Sequence, residues 1–140
     1  MTIIQNAVYV PEQNVYLKSA NRHDYIVFES QGDSFFIDGG NEYLRRSFRS
    51  DVDLGFVDYT LTNESSLQEI YDKLLWGTYG KKGNEPLRWL PIRTLEESHL
   101  KAILNQVPNV HPLIVATIRH HLSLKQQSTK KVWPPDMPNI

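Results

Sequence analysis

Three short stretches bring residue types that do chemistry into close spacing. Arg22-His23-Asp24-Tyr25 places a guanidinium, an imidazole and a carboxylate between two apolar runs. Arg22 can fork onto a phosphate or a carboxylate, and His23 can serve as a base or donor oriented by Asp24. The same residues also read as a plain turn, with Asp24 capping it and His23 half-buried. Asp38-Gly39-Gly40-Asn41 leads into Tyr43-Leu44-Arg45-Arg46. An acid, a double glycine that exposes backbone N–H groups, and two following arginines suit an anion or a ribose phosphate; the alternative is a tight turn followed by a solvated basic segment. Trp76-Gly77-Thr78-Tyr79-Gly80-Lys81-Lys82-Gly83 mixes rings that stack on bases with lysines that meet phosphates. It reads equally as a hairpin tip with Trp76 in the core at its root. Arg119, beside His120 and His121, adds a cation late in the chain, where it also complements a helix dipole.

What the chain lacks narrows the chemistry. The Gly-x-x-x-x-Gly-Lys phosphate loop, the dinucleotide fingerprint, the Gly-x-Ser-x-Gly elbow and His-Glu-x-x-His are all absent. No nucleophile stands out and the histidines have no metal-ligand spacing, so the reading assigns no catalytic residue, no metal and no cofactor. The sequence has 0 cysteines, which excludes a disulfide scaffold, thiolate metal sites and a cysteine nucleophile. Fifteen Lys plus Arg against sixteen Asp plus Glu leave a net charge of −1, which argues against a protein that coats duplex nucleic acid. A single phosphate needs only a few arginines. The first residues lack a basic segment followed by a long apolar one, so no signal peptide is expected. No apolar run reaches the roughly 20 residues that cross a bilayer.

The elements that must position these residues follow from periodicity. Residues 3–10 form an apolar, β-branched run ended by Pro11, and residues 15–17 pair with it as a hairpin. Residues 25–28 and 35–37 flank Ser30-Gln31-Gly32-Asp33, the turn of a second hairpin. Residues 56–61 make a further strand. Ser65 or Ser66 caps a short helix running to Leu75, with Leu67, Ile70, Tyr71 and Leu74 on one face. Residues 76–90 are loop or hairpin. Thr94 and Glu97 form a capping box for a helix that Pro108 ends. A last helix starts near Asn109 and tolerates Pro112 in its first turn, with Ile114, Val115, Ile118 and Leu122 on its apolar side. The expected fold is α+β: an N-terminal antiparallel sheet with two or three C-terminal helices, in one domain over residues 1–125. Residues 126–140 read as a polar, proline-rich, extended tail in which Trp133 can dock on a surface.

Taken in order, Arg22-His23-Asp24-Tyr25, Ile37-Asp38-Gly39-Gly40 with Tyr43-Leu44-Arg45-Arg46, Trp76-Gly77-Thr78-Tyr79-Gly80-Lys81, and Pro86-Leu87 leading to His99-Leu100-Lys101-Ala102-Ile103-Leu104 resemble a family of small tailed-phage proteins over residues 3–125. Through that family the chain resembles the anti-Thoeris sponge proteins. The resemblance implies a non-enzymatic binder that sequesters a cyclic ADP-ribose isomer, the signal made by a bacterial defence TIR enzyme. It further implies action in the host cytoplasm, assembly as a dimer or higher homo-oligomer, and a separate site for cyclic oligonucleotides. It transfers no individual ligand contact. The residues whose chemistry suits such a ligand are Arg22, His23, Asp24, Asp38, Tyr43, Arg45, Arg46, Trp76 and Arg119, with no membrane and no duplex nucleic acid as partner. Two alternatives from other classes are a phage-encoded inhibitor that binds a host enzyme through a sheet edge or the Trp133 tail, and a small hydrolase or lyase using His23 and Asp24.

Overall fold

Strand β1 (Ile3–Val10) is covered on both faces: Gln5, Asn6, Ala7, Val8 and Val10 are all inaccessible to solvent. That burial explains why the run is apolar without clean alternation. The computed structural model describes residues 2–30, 32–47, 56–80 and 82–132. In it β1 pairs antiparallel with β2 (Val15–Ser19), from Asn6 opposite Ser19 to Val10 opposite Val15. β3 (Ile26–Ser30) and β4 (Asp33–Asp38) form the second hairpin, and β5 (Arg45–Arg46) adds to β4. Both hairpins fall where the apolar runs place them.

The expected strand over residues 56–61 is instead two short pieces, β6 (Val57–Asp58) and β7 (Leu61–Thr62). Both pair with β1, whose register shifts between Ile3 and Gln5. Between the pieces the Asp58 carboxylate accepts the Thr60 N–H at 2.9 Å, a local turn that interrupts the ladder. Residues 76–90 resolve as a hairpin of β8 (Leu75–Thr78) and β9 (Arg88–Pro91). The large sheet runs β6-β1-β2-β9-β8, with β7 also on β1; β3-β4-β5 is a separate three-stranded sheet. Val8 and Val10 on β1 meet Phe28 on β3 and Ile37 on β4, and this contact is the core between the sheets.

Helix α1 (Leu67–Lys73) opens on a reciprocal capping box between Ser66 and Glu69. Bonds to Ser66 hold the Glu69 carboxyl below its ordinary value. The expected helix to Leu75 ends earlier because Leu74 is already extended and Leu75 begins β8. Leu67, expected on the apolar face, is 84% exposed, while Ile70 and Leu74 carry the burial.

The chain divides into two compact units, one up to Pro91 and one from Ile92. The second contains a 3-10 turn (Ile92–Thr94), α2 (Glu97–Gln106) and α3 (Pro112–Val132). The expected Thr94–Glu97 capping box does not form. Thr94 closes the 3-10 turn, and the extended residue before α2 is Glu96, which makes no side-chain cap. α3 begins at Pro112, and His111 caps it by accepting the Leu113 N–H on Nδ1 at 3.0 Å. α3 continues to Val132, which corrects the extended tail expected from Gln126. Gln, Ser, Thr and Lys propagate a helix already nucleated, and the first strong breaker is Pro134. Residues 133–140, with Trp133, lie outside the described residues. With three helices and N-terminal antiparallel strands, the protein is α+β. No helix among the described residues is long and apolar enough to cross a membrane.

Ile118 and His121 face inward from α3, and His121 is only 8% exposed. Burial, with Lys125, Arg93 and His120 adding positive charge, holds its imidazole below the ordinary histidine value. The unfolded chain therefore binds this proton more readily than the folded one. Stability contributed by neutral His121 is complete above about pH 6.5 and is lost as pH falls toward the lower folded value. Thermal melts should show the midpoint dropping between about pH 7.5 and pH 5, and the drop should shrink in His121→Gln.

Candidate functional site

The turn after β2 and the turn after β4 are built against each other. Ser19 Oγ donates to the Asp24 carbonyl at 2.7 Å and accepts the Gly40 N–H at 3.0 Å, so one hydroxyl links the two. Asp24 N–H donates to the Asn21 carbonyl, and Ala20 N–H donates to Asp24 Oδ2 at 2.8 Å. The carboxylate of Asp24 thus closes its own turn and orients the backbone. Gly39 and Gly40 have φ of +107° and +52°. A Cβ on Gly40 would lie 2.4 Å from the Asn21 carbonyl carbon, and one on Gly39 would lie 1.9 Å from the Tyr43 carbonyl oxygen. The double glycine is required both by backbone angle and by close approach.

Asp38, 6% exposed, ends β4 beneath these turns. Its Oδ1 accepts the Gly39 N–H at 2.8 Å, and its Oδ2 lies 3.5 Å from the Tyr43 hydroxyl and 3.6 Å from Arg45 Nη1. Asn6, buried in β1, donates from Nδ2 to the Asp38 carbonyl at 2.8 Å and tethers the turn to the large sheet.

The neighbouring arginines diverge because successive residues of a strand point to opposite faces. Arg46 turns inward, its side chain 13% exposed, toward Asn6 Oδ1 at 3.1 Å, Asp58 at 3.3 Å and Thr60 Oγ1. Arg45 turns outward, 64% exposed, with its guanidinium 5.3 Å from the centre of the Phe36 ring. Phe36 in turn lies 4.8 Å from the ring of Tyr25. Tyr25, Phe36 and Arg45 therefore form a continuous outer surface on the small sheet. Ile26, Phe28, Phe35 and Ile37 face the opposite way into the core.

Beside this surface Asn21, Arg22, His23 and Asp24 line an open concavity of about 470 Å³. Arg22 meets Glu42 at 3.7 Å, but both side chains are well exposed, and such a pair contributes little to stability. Its guanidinium can exchange that partner for an anionic ligand. His23 is exposed at the same turn.

Of the nine residues singled out from sequence, Arg22, His23, Asp24, Asp38, Tyr43 and Arg45 lie on the two linked turns or the strand ends beside them. Arg46 is engaged inside the first unit. Trp76 is half-buried in β8, opposite Leu90 at the far edge of the large sheet. Arg119 is exposed on α3 in the second unit. Sequence reading missed Phe36, although the alternation of Tyr25 and Val27 against Ile26 and Phe28 carries the signal for an outward ring. It also missed Asn6, hidden within an apolar run. The chain matches no protein-family model, no curated protein and no solved structure.

The two arginines should separate experimentally. Arg46→Ala removes buried charge-assisted bonds and should cost about 2–3 kcal/mol in a denaturant titration, whereas Arg45→Ala should stay within about 0.5 kcal/mol of the parent. Gly40→Ala should cost about 2–3 kcal/mol from φ strain and backbone overlap. Amide exchange should then rise in residues 20–24, the segment that the added methyl displaces.

Proposed function

We propose that the first unit binds a small phosphorylated nucleotide of the cyclic ADP-ribose type and holds it intact, as a phage sponge that withholds the Thoeris signal from its effector. The observation that carries this reading is that Arg22 lines an open concavity at a turn whose next residue, Tyr25, begins an outer surface of Tyr25, Phe36 and the exposed Arg45. The concavity's volume of about 470 Å³ lies in the range of small-molecule sites. Guanidiniums fork onto a pyrophosphate, and an exposed ring supplies a stacking surface for a purine. Asp24 is committed to the turn, which favours retention over general-base chemistry at His23. Assembly with further copies of the chain, in the cytoplasm of an infected cell, completes the proposal.

A second reading is supported by the exposed edge of the small sheet. β3 is an edge strand, with Val27 56% and Tyr25 53% exposed, features that suit pairing with a strand of a host protein.

Calorimetry against cyclic ADP-ribose isomers should give tight 1:1 binding per chain, with unaltered nucleotide released on heat denaturation. Arg45→Ala should weaken binding about ten- to a hundredfold, and Tyr25→Ala by a similar factor, in proteins that melt like the parent. Absence of nucleotide retention, with a stoichiometric protein captured through β3, would favour the second reading; consumption of nucleotide lost in His23→Ala would establish a hydrolase.

A further inference from the structure

β2 and β9 pair at a single position, Tyr16 opposite Trp89. A cavity of about 330 Å³ opens along this junction, and none of its lining residues lines the concavity at Arg22. Leu17, Ile26 and Leu87 give its walls apolar surface beside the polar groups of Asn14, Lys18 and Arg88. The Trp89 indole packs close over the facing Gly77, where a Cβ would come within 2.9 Å of the ring. Lys18 reaches over that indole, its Nζ 4.6 Å from the ring centre.

Among the described residues no carboxylate pairs with Lys18; its cation rests on the indole face alone. Burial disfavours the charged ammonium and lowers its pKa from the ordinary lysine value. A partly desolvated cation without a counter-ion is a place where an anion recovers lost solvation. Arg88, exposed at the same cavity, adds positive charge at its mouth.

We infer that this groove is a second binding site, for a small organic carboxylate whose ring or short acyl body lies along Leu17, Ile26 and Leu87 while its charge meets Lys18. One partly buried cation resting on a ring matches a single carboxylate on an apolar body, so the site takes a different ligand class from the concavity at Arg22. The inference does not depend on the nucleotide reading.

Calorimetry with 4-phenylbutyrate and with its uncharged amide tests it on the full chain. The carboxylate should bind the parent at least about tenfold more tightly than the amide. Lys18→Met keeps the apolar stem and removes the charge, and should bring the two affinities together. Arg45→Ala should leave both unchanged, which separates this site from the first. Equal affinity of acid and amide for the parent overturns the inference, as does a charge preference that survives in folded Lys18→Met. Should Lys18→Met fail to fold, backbone amide shifts in the parent decide: carboxylate-specific shifts at Lys18 and Trp89 support the site, and shifts elsewhere alone refute it.

Discussion

Two adjacent buried amides in β1 hold the first unit together. Gln5 and Asn6 point to opposite faces of one strand. Gln5 donates to the carbonyls of Tyr59 and Lys73 at 2.8 Å each and accepts the Leu75 N–H at 2.8 Å. It thereby satisfies a carbonyl at the end of α1 and fixes where β8 begins. Asn6 donates to the Asp38 carbonyl and accepts from Arg46. A buried amide without partners costs about 1–3 kcal/mol. A slip of β1 by one residue would exchange the two faces and strand both side chains, so the pair specifies register as well as stability.

The site inherits its shape from this constraint. Asn6 anchors the end of β4, Asp38 anchors the Gly39 N–H, and Gly40 reaches Ser19 and hence the turn at Arg22. The outward position of Arg45 follows from the inward position of Arg46, since neighbouring strand residues cannot share a face. Arg45 also disperses the charge of Asp38, which would otherwise repel an anion brought to this surface. A framework of short backbone bonds lets exposed side chains present charge without having to hold the fold.

The sequence was most legible where periodicity and turn chemistry agree. Both N-terminal hairpins, the stop before Pro108 and Pro112 at the head of α3 follow from local rules. It was least legible where one residue can serve two local structures. Thr94 and Glu97 have capping-box spacing, yet the 3-10 turn takes Thr94 first. Leu75 continues a helical pattern, yet Gln5 draws its N–H into the sheet. The two turns at Arg22 and Asp38 were identifiable from composition, but their mutual contact depends on Ser19 and Asn6, neither of which carries a motif. Arg45 and Arg46 look equivalent in sequence and differ only through the sheet face that each occupies.

The proposed retention of a nucleotide places a further demand on the assembly. Sequestering a scarce signal needs roughly nanomolar affinity, about −12 kcal/mol. Two charge-assisted contacts at about 1.5–3 kcal/mol each and one stacked base at about 1–3 kcal/mol supply only about 4–9 kcal/mol. The concavity at Arg22 is open and the Arg45 side chain is 64% exposed, so solvent screens both guanidiniums and keeps the contribution near the lower end. A surface that closes over the ligand would exclude water, strengthen the existing contacts and add new ones. Under the proposed reading a second copy of the chain, brought against the outer face of the small sheet, would supply such a surface. Val27 and Tyr25, exposed on that face, would then be the first side chains for such a copy to cover.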